Sequence, residues 1–545
     1  MDLRKKPFYL TEEELRWVNE TRDSLSVRQK VGQLFCVMGG DFELKELERI
    51  VTEYNVGGVL YRPAPAADIR DWYAVLDAAA RIPLLRAANL EEGGSGAISD
   101  GTFFGWPMTV AATDEDGMME KFATVCAREG QMTGVNWTFS PVCDIDMNYR
   151  NPITNVRTCG SDVERVKRLC SVYVKTLQKN EMAACAKHFP GDGVDFRDQH
   201  LHPTYNSLSA KDWFASYGAI YQQLIEDGLM SVMVGHIVQP NVAMEINPKL
   251  RFEDCLPGSL CRELLTGVLR ERFGFNGLIT TDATIMSGFT QAMPRRHAIP
   301  TAIAAGCDML VFSTDFYEDY QYMLDGLESG ALKESRLDEA VSRILALKAK
   351  VAGNRPKTEP MPEAKLWQAE CADKCVTLVK NIEELLPISP EEYPLIRLVT
   401  LGNDHTVDGS MTAIAEEILQ REGFQTERFD IEKEEMHGTG ALDRKRLTLY
   451  LANCEHASNQ TTIRLNWAKK HALDVPRHVW EESAVFVSFS NPYHLQDVPR
   501  VKTYINAYSC HRAMIEAVIE KLLGKSEFKG VSPVDAFCGL PDARL

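Results

Sequence analysis

Between Lys187 and His200 the chain carries one lysine, two imidazoles and three carboxylates within fourteen residues: Lys187-His188-Phe189-Pro190-Gly191-Asp192-Gly193, then Asp195, and finally Asp198-Gln199-His200. A carboxylate two residues from a histidine can fix the imidazole tautomer and raise its basicity. The ring can then give a proton to a departing oxygen and later take one from water. Another carboxylate stands well apart in sequence, where the run Gly277-Leu-Ile-Thr-Thr-Asp282 ends on Asp282. An ionised carboxylate in that position can attack an anomeric carbon. Plainer readings compete with both assignments, since Asp282 could be a helix N-cap and His200 a solvated loop histidine. His188, Asp192, Asp198 and His200 could also assemble a mixed zinc or iron site, but their spacing matches no metal motif. Neither nucleotide-binding glycine fingerprint occurs. No metal and no cofactor are expected.

These groups need elements to hold them. Apolar, strand-like runs cover Gly57 to Tyr61, Pro83 to Ala88, Trp137 to Pro141, Ala183 to His188, Ser231 to Gly235, Leu278 to Asp282 and Asp308 to Phe312, with helical stretches between them. Phe35 belongs to a further strand or to a helix end. Alternating strands and helices imply parallel strands with crossover helices. Seven or eight such units in roughly 350 residues favour a TIM-type (β/α)8 barrel over a doubly wound sheet. The polar residues agree with this: Asn89 and Glu91, Asp144, Lys187 and His188, His236, and Asp282 each follow apolar residues. Chemistry arriving from several strand ends is how barrels build a site.

With 545 residues the chain is too long for one ordinary domain. The expected organisation is a catalytic barrel over 1–350, a linker and connecting helix over 351–374, and a smaller C-terminal α/β sandwich over 375–545. Pro- and polar-rich residues at 352–362 mark the linker, and Ile396 to Leu401 and Ser483 to Phe489 are the clearest strands beyond it. A formal net charge of −17 argues against general nucleic-acid or membrane-surface binding, which needs basic patches. No apolar run reaches the length of a membrane span, and the first residues turn acidic where a signal peptide needs its apolar core, so a cytoplasmic protein is expected. Fourteen cysteines without a CxxC pair fit small buried side chains in a reducing compartment.

The Lys187–Gly193 stretch with Asp198-x-His200 resembles family 3 glycoside hydrolases of the bacterial β-N-acetylglucosaminidase branch, whose pattern is Lys-His-Phe-Pro-Gly-His-Gly followed by Asp-x-His. Gly277–Asp282 resembles that family's nucleophile motif. Leu378-Val-Lys-Asn381, Leu385-Leu-Pro387, Asn491-Pro-Tyr493 and Gly530-Val-Ser-Pro533 resemble the second domain of its two-domain members. The resemblance covers almost the whole chain and is strongest from about 130 to 315. It implies Asp282 as nucleophile, His200 as acid/base backed by Asp198 on a mobile loop, and Arg157, Lys187 and His188 as ligands of sugar hydroxyls.

Two departures bear on the substrate. Asp192 stands where the branch has its second histidine, and Asn89-Leu-Glu91-Glu-Gly-Gly94 replaces its Asp-x-Glu-Gly-Gly, so either Asn89 or Glu91 takes over from the sugar-binding aspartate. The resulting expectation is a retaining exo-acting β-N-acetylhexosaminidase hydrolysing terminal amino sugars from small carbohydrates. A phosphorylase or β-glucosidase on the same scaffold is the alternative within enzymes, because histidine becomes neutral after giving its proton and need not repel phosphate. A non-catalytic carbohydrate-binding protein is the rival from another class.

Overall fold

The computed structural model describes residues 1–351, 353, 361–436 and 445–545. Residues 352 and 354–360, within the stretch read as linker, lie outside the described residues. The chain divides into two compact units. The first comprises Met1–Thr102, Met119–Asn151 and Val163–Pro362, and the second Phe103–Met118, Pro152–Asp162 and Glu363–Leu545.

In the first unit, eight parallel strands close a barrel in sequential order: β1 (Phe35–Met38), β2 (Gly58–Leu60), β3 (Leu85–Ala88), β4 (Trp137–Thr138), β5 (Ala183–Phe189), β6 (Ser231–Val234), β7 (Leu278–Ala283) and β8 (Met309–Val311). The ring shuts where Phe35 and Cys36 of β1 pair with Leu310 and Val311 of β8, so Phe35 belongs to a strand. Most of these residues are buried without alternation, as expected of strands covered on both faces. Crossover helices supply the outer cover. The helix Val163–Lys179 shows how: Val166, Leu169, Cys170, Tyr173, Val174 and Leu177 recur at three- and four-residue spacing and are all buried. At the amino end of the first helix, Thr11 and Glu14 form a reciprocal capping box.

The start of β8 is secured by a buried charge cluster. Asp308 accepts from Arg270 Nη2 at 2.6 Å, Arg336 Nη2 at 2.6 Å, Arg343 Nη1 at 3.4 Å and the Ile279 backbone N–H at 2.9 Å. Burial alone would raise this carboxyl, but the guanidinium groups of Arg270, Arg343 and Arg336 outweigh it and hold it below the ordinary range. Asp308→Ala would strand these guanidinium groups together in a largely dry site. That variant should lose about 3–5 kcal/mol of stability, read as a lowered midpoint of urea unfolding. An unchanged midpoint would show that the cluster contributes nothing net.

Among the described residues of the second unit, six strands form one sheet: β9 (Thr377–Asn381), β10 (Leu395–Gly402), β11 (Gln425–Arg428), β12 (Arg446–Asn453), β13 (Ser483–Ser488) and β14 (Thr503–Asn506), in the spatial order β9-β14-β13-β12-β10-β11. All neighbours are parallel except the β9–β14 edge pair. One sheet face packs Tyr450, Phe486 and Tyr504 as a stack, with ring centroids 5.8 Å and 5.4 Å apart. Val399, Leu495 and Val498 complete that core. The two early segments are integral to this unit. Gln368 Nε2 donates to Phe103 O at 2.5 Å, Trp106 meets the His456 ring at 4.2 Å, and Asn155 Nδ2 donates to Asn491 Oδ1 at 3.3 Å. Within the described residues, no helix is long and apolar enough to cross a membrane.

Candidate active site

At the carboxyl ends of the barrel strands a second group of ionisable residues of the first unit comes together. Lys187, near the end of β5, reaches across to the segment that follows β3. Its Nζ lies 2.5 Å from Glu91 Oε1 and donates to Asn89 Oδ1 at 3.1 Å. Both candidates for the missing sugar-binding aspartate therefore share one lysine. Lys187 and Glu91 are almost fully buried, so the pair satisfies charges that would otherwise be stranded.

His188 is set by Asp144, beyond the end of β4. Asp144 Oδ1 accepts from the His188 backbone N–H at 3.1 Å, and Asp144 Oδ2 lies 2.7 Å from His188 Nδ1. A carboxylate there keeps the proton on Nδ1, which turns Nε2 toward Asp282 Oδ2 at 3.8 Å. The same Asp144 oxygen that holds His188 also accepts from the Asp192 N–H at 2.8 Å, so one buried aspartate shapes the whole turn after β5.

Asp282 lies at the end of β7, as its motif requires. Its Oδ1 accepts from the Ala283 N–H at 2.7 Å, and its side chain is 14% exposed against 1% for Asp144. Asp282 is thus the reachable carboxylate of the two. Burial would raise its pKa, but His188, His236, His200 and the Ala283 N–H together hold it below the usual carboxylate range. The ionised form is the favoured one. His236, on the turn after β6, places Nε2 3.0 Å from Ala283 O and Nδ1 2.8 Å from Ser259 Oγ. A carbonyl can only accept, so Nε2 carries the proton and Nδ1 accepts from Ser259. Burial lowers the His236 pKa and favours this neutral form, with Asp282 opposing.

The Asp198–His200 pair is formed. His200 Nδ1 lies 2.6 Å from Asp198 Oδ1, which also accepts from the His200 backbone N–H at 2.9 Å. The Asp198 side chain is 0% exposed and that of His200 23%. The aspartate is thus buried beneath a ring that remains partly exposed. Asp192, at the position of the branch's second histidine, accepts from Asn151 Nδ2 at 2.9 Å and from the Gly193 N–H at 2.7 Å. Burial and the neighbouring Asp144 raise its pKa to about 8, against the Gly193 and Asn151 bonds. A carboxyl whose ionisation burial and Asp144 disfavour therefore stands where the branch has an imidazole.

Arg157 belongs to the second unit, on the turn Asn155–Arg157, where Nη1 donates to Ile153 O at 3.1 Å. Sequence reasoning did not select Asp144, His236 or Gln199 as site residues, although Asp144 and His236 stand after strand-like runs. Among the described residues, no cluster of three His, Cys, Asp or Glu side chains is arranged to hold a metal ion.

A closed (β/α)8 barrel with its reachable carboxylate, imidazoles and buried lysine on the carboxyl rim is an enzyme architecture. The family described as glycosyl hydrolase family 3 N-terminal domain matches residues 26–347, and the chain belongs to that family. It is 41% identical to a β-N-acetylglucosaminidase/β-glucosidase of Cellulomonas fimi, with all of both chains covered. It is also similar to a solved β-glucoside phosphorylase, BglX, with 2FGlc bound: 45% identity, 99% of each chain covered and a TM-score of 0.93. A family 3 β-N-acetylglucosaminidase from Paenibacillus shares the fold at 23% identity, with a TM-score of 0.78 over 95% of this chain and 100% of that one. The protein is a family 3 glycosidase with a TIM barrel and a second α/β unit.

Proposed function

We propose that the protein cleaves terminal β-linked glucose or N-acetylglucosamine residues with retention and passes the sugar to inorganic phosphate. Asp282 attacks C1 while His200 Nε2 gives its proton to the glycosidic oxygen, so the C1–O bond breaks as the Asp282–C1 ester forms. An ionised oxygen of hydrogen phosphate then attacks C1, the ester breaks, and Asp282 regains its charge. Two inversions leave the sugar 1-phosphate in the β configuration, and His200 is reprotonated from solvent. Lys187 and His188 bind the sugar hydroxyls in this reading, and Asn89 and Glu91 act through Lys187.

The observation that carries the proposal is the acid/base itself. The Asp198–His200 pair at 2.6 Å leaves a neutral ring beside the glycosyl-enzyme, where a glutamate would leave an anion facing the dianionic acceptor. Similarity at 45% to a β-glucoside phosphorylase supports it. The second reading, hydrolysis of the same glycosides, is favoured by the name of the Cellulomonas relative at 41% identity. In that case His200 takes a proton from water.

Aryl β-glucoside and aryl β-N-acetylglucosaminide, each incubated with and without phosphate, separate the two. Phosphate should raise turnover about tenfold or more and make the sugar 1-phosphate the main product. Free sugar at a rate indifferent to phosphate would select hydrolysis. Binding of both glycosides without turnover would select the non-catalytic alternative.

A further inference from the structure

Gln199, between the two members of the dyad, is 1% exposed and ties its own loop, after β5, to the loops after β6 and β7. Its Oε1 accepts from the His236 backbone N–H at 2.7 Å, after β6. Since that backbone group can only donate, the amide orientation is fixed, and Nε2 points to Asp192 Oδ2 at 3.4 Å, after β5. Its main-chain carbonyl accepts from the Gly288 N–H at 3.2 Å, after β7. One residue further on, His200 O accepts from the Ser287 N–H at 3.1 Å. Room for this residue is built in. A Cβ on Gly288 would lie 2.5 Å from Gln199 O, and one on Gly235 would lie 2.8 Å from Gln199 Oε1. Neither glycine has the positive φ that would explain it on backbone grounds.

Ser287 and Gly288 follow Asp282 on the segment leaving β7, so the same stretch of chain carries the attacking carboxylate and receives the dyad loop. We infer that Gln199 is a positioning residue that docks the Asp198–His200 loop onto the nucleophile's own segment and so fixes where His200 delivers its proton. The inference rests on the assignment of His200 as acid/base. Proton delivery is sensitive to placement at the ångström level, whereas Lys187 and His188 sit on β5 itself, held by Glu91, Asn89 and Asp144 rather than by Gln199. Gln199 should therefore matter in proportion to how much the leaving group needs a proton.

Gln199→Met in the full chain keeps the length of the side chain and removes both amide bonds. Its kcat/KM on an alkyl β-glycoside should fall about 10- to 100-fold, while that on the matching 2,4-dinitrophenyl β-glycoside changes less than about threefold. Equal losses on both substrates, or none on either, would overturn the inference. Gln199→Glu retains an acceptor for the His236 N–H but no firm donor to Asp192. It should show the same split, and it decides the matter if the methionine variant does not fold. His200→Ala is measured alongside. If it shows no split between the substrates, the acid/base assignment falls and takes this inference with it. If it shows the split and the Gln199 variants do not, only the positioning role of Gln199 is wrong.

Discussion

Asp282→Asn should give a folded protein whose turnover of an activated aryl β-glycoside is about four orders of magnitude below the parent, roughly 5.5 kcal/mol of lost transition-state stabilisation. The replacement is nearly isosteric, and an amide oxygen can still accept from the Ala283 N–H, now at 2.7 Å. What disappears is the negative charge that His188, His236 and His200 help to hold there. The described site offers no equivalent substitute, because Asp144 is buried on His188 and Glu91 is buried on Lys187. Thermal unfolding close to the parent's, together with the collapse in rate, would assign the loss to chemistry. Near-parental turnover would mean that another group attacks C1.

His200→Ala should be almost as damaging, but selectively. Without a proton donor, alkyl glycosides should slow by about 10²- to 10⁴-fold, whereas a dinitrophenolate departs unaided and its release should be nearly unaffected. The second step adds a sharper contrast. Water needs a base and hydrogen phosphate does not, so in this variant the glycosyl-enzyme should be released by phosphate far faster than by water. A stopped-flow burst of dinitrophenolate followed by a phosphate-dependent steady state would be its signature. A uniform loss with every leaving group and acceptor would argue that His200 serves only to shape the loop.

Much of the barrel was legible because parallel strands covered on both faces read as continuous apolar runs. Phe35–Met38 was the ambiguous one, since it follows directly on the helix Val27–Gln33 and is only four residues long. In the second unit, Ile396 to Leu401 and Ser483 to Phe489 were recognisable for the same reason. Gln425–Arg428 was not singled out, because an edge strand with partly exposed side chains needs no apolar pattern. The dyad could be read because its members are neighbours in sequence. The supports of the site could not. Asp144 meets His188 from 44 residues away and Gln199 meets the His236 N–H across 37, distances that only the closed barrel brings together. The raised pKa of Asp192 is of the same kind, since it depends on burial beside Asp144.

The second unit draws its residues from three separate stretches of chain, and this bears on how the protein is made. Phe104, Met108, Val110 and Ala111 are fully buried within a unit whose main body begins only at Glu363. During synthesis these residues leave the ribosome some 250 positions ahead of the helix Glu363–Cys375 that will pack against them, and they must wait, apolar and uncovered by it, while the barrel grows. Such long sequence separation slows folding and leaves surfaces open to aggregation. The nascent chain should accordingly be a strong client for chaperones until its last helix is complete, and the two units cannot be exchanged between proteins as independent cassettes.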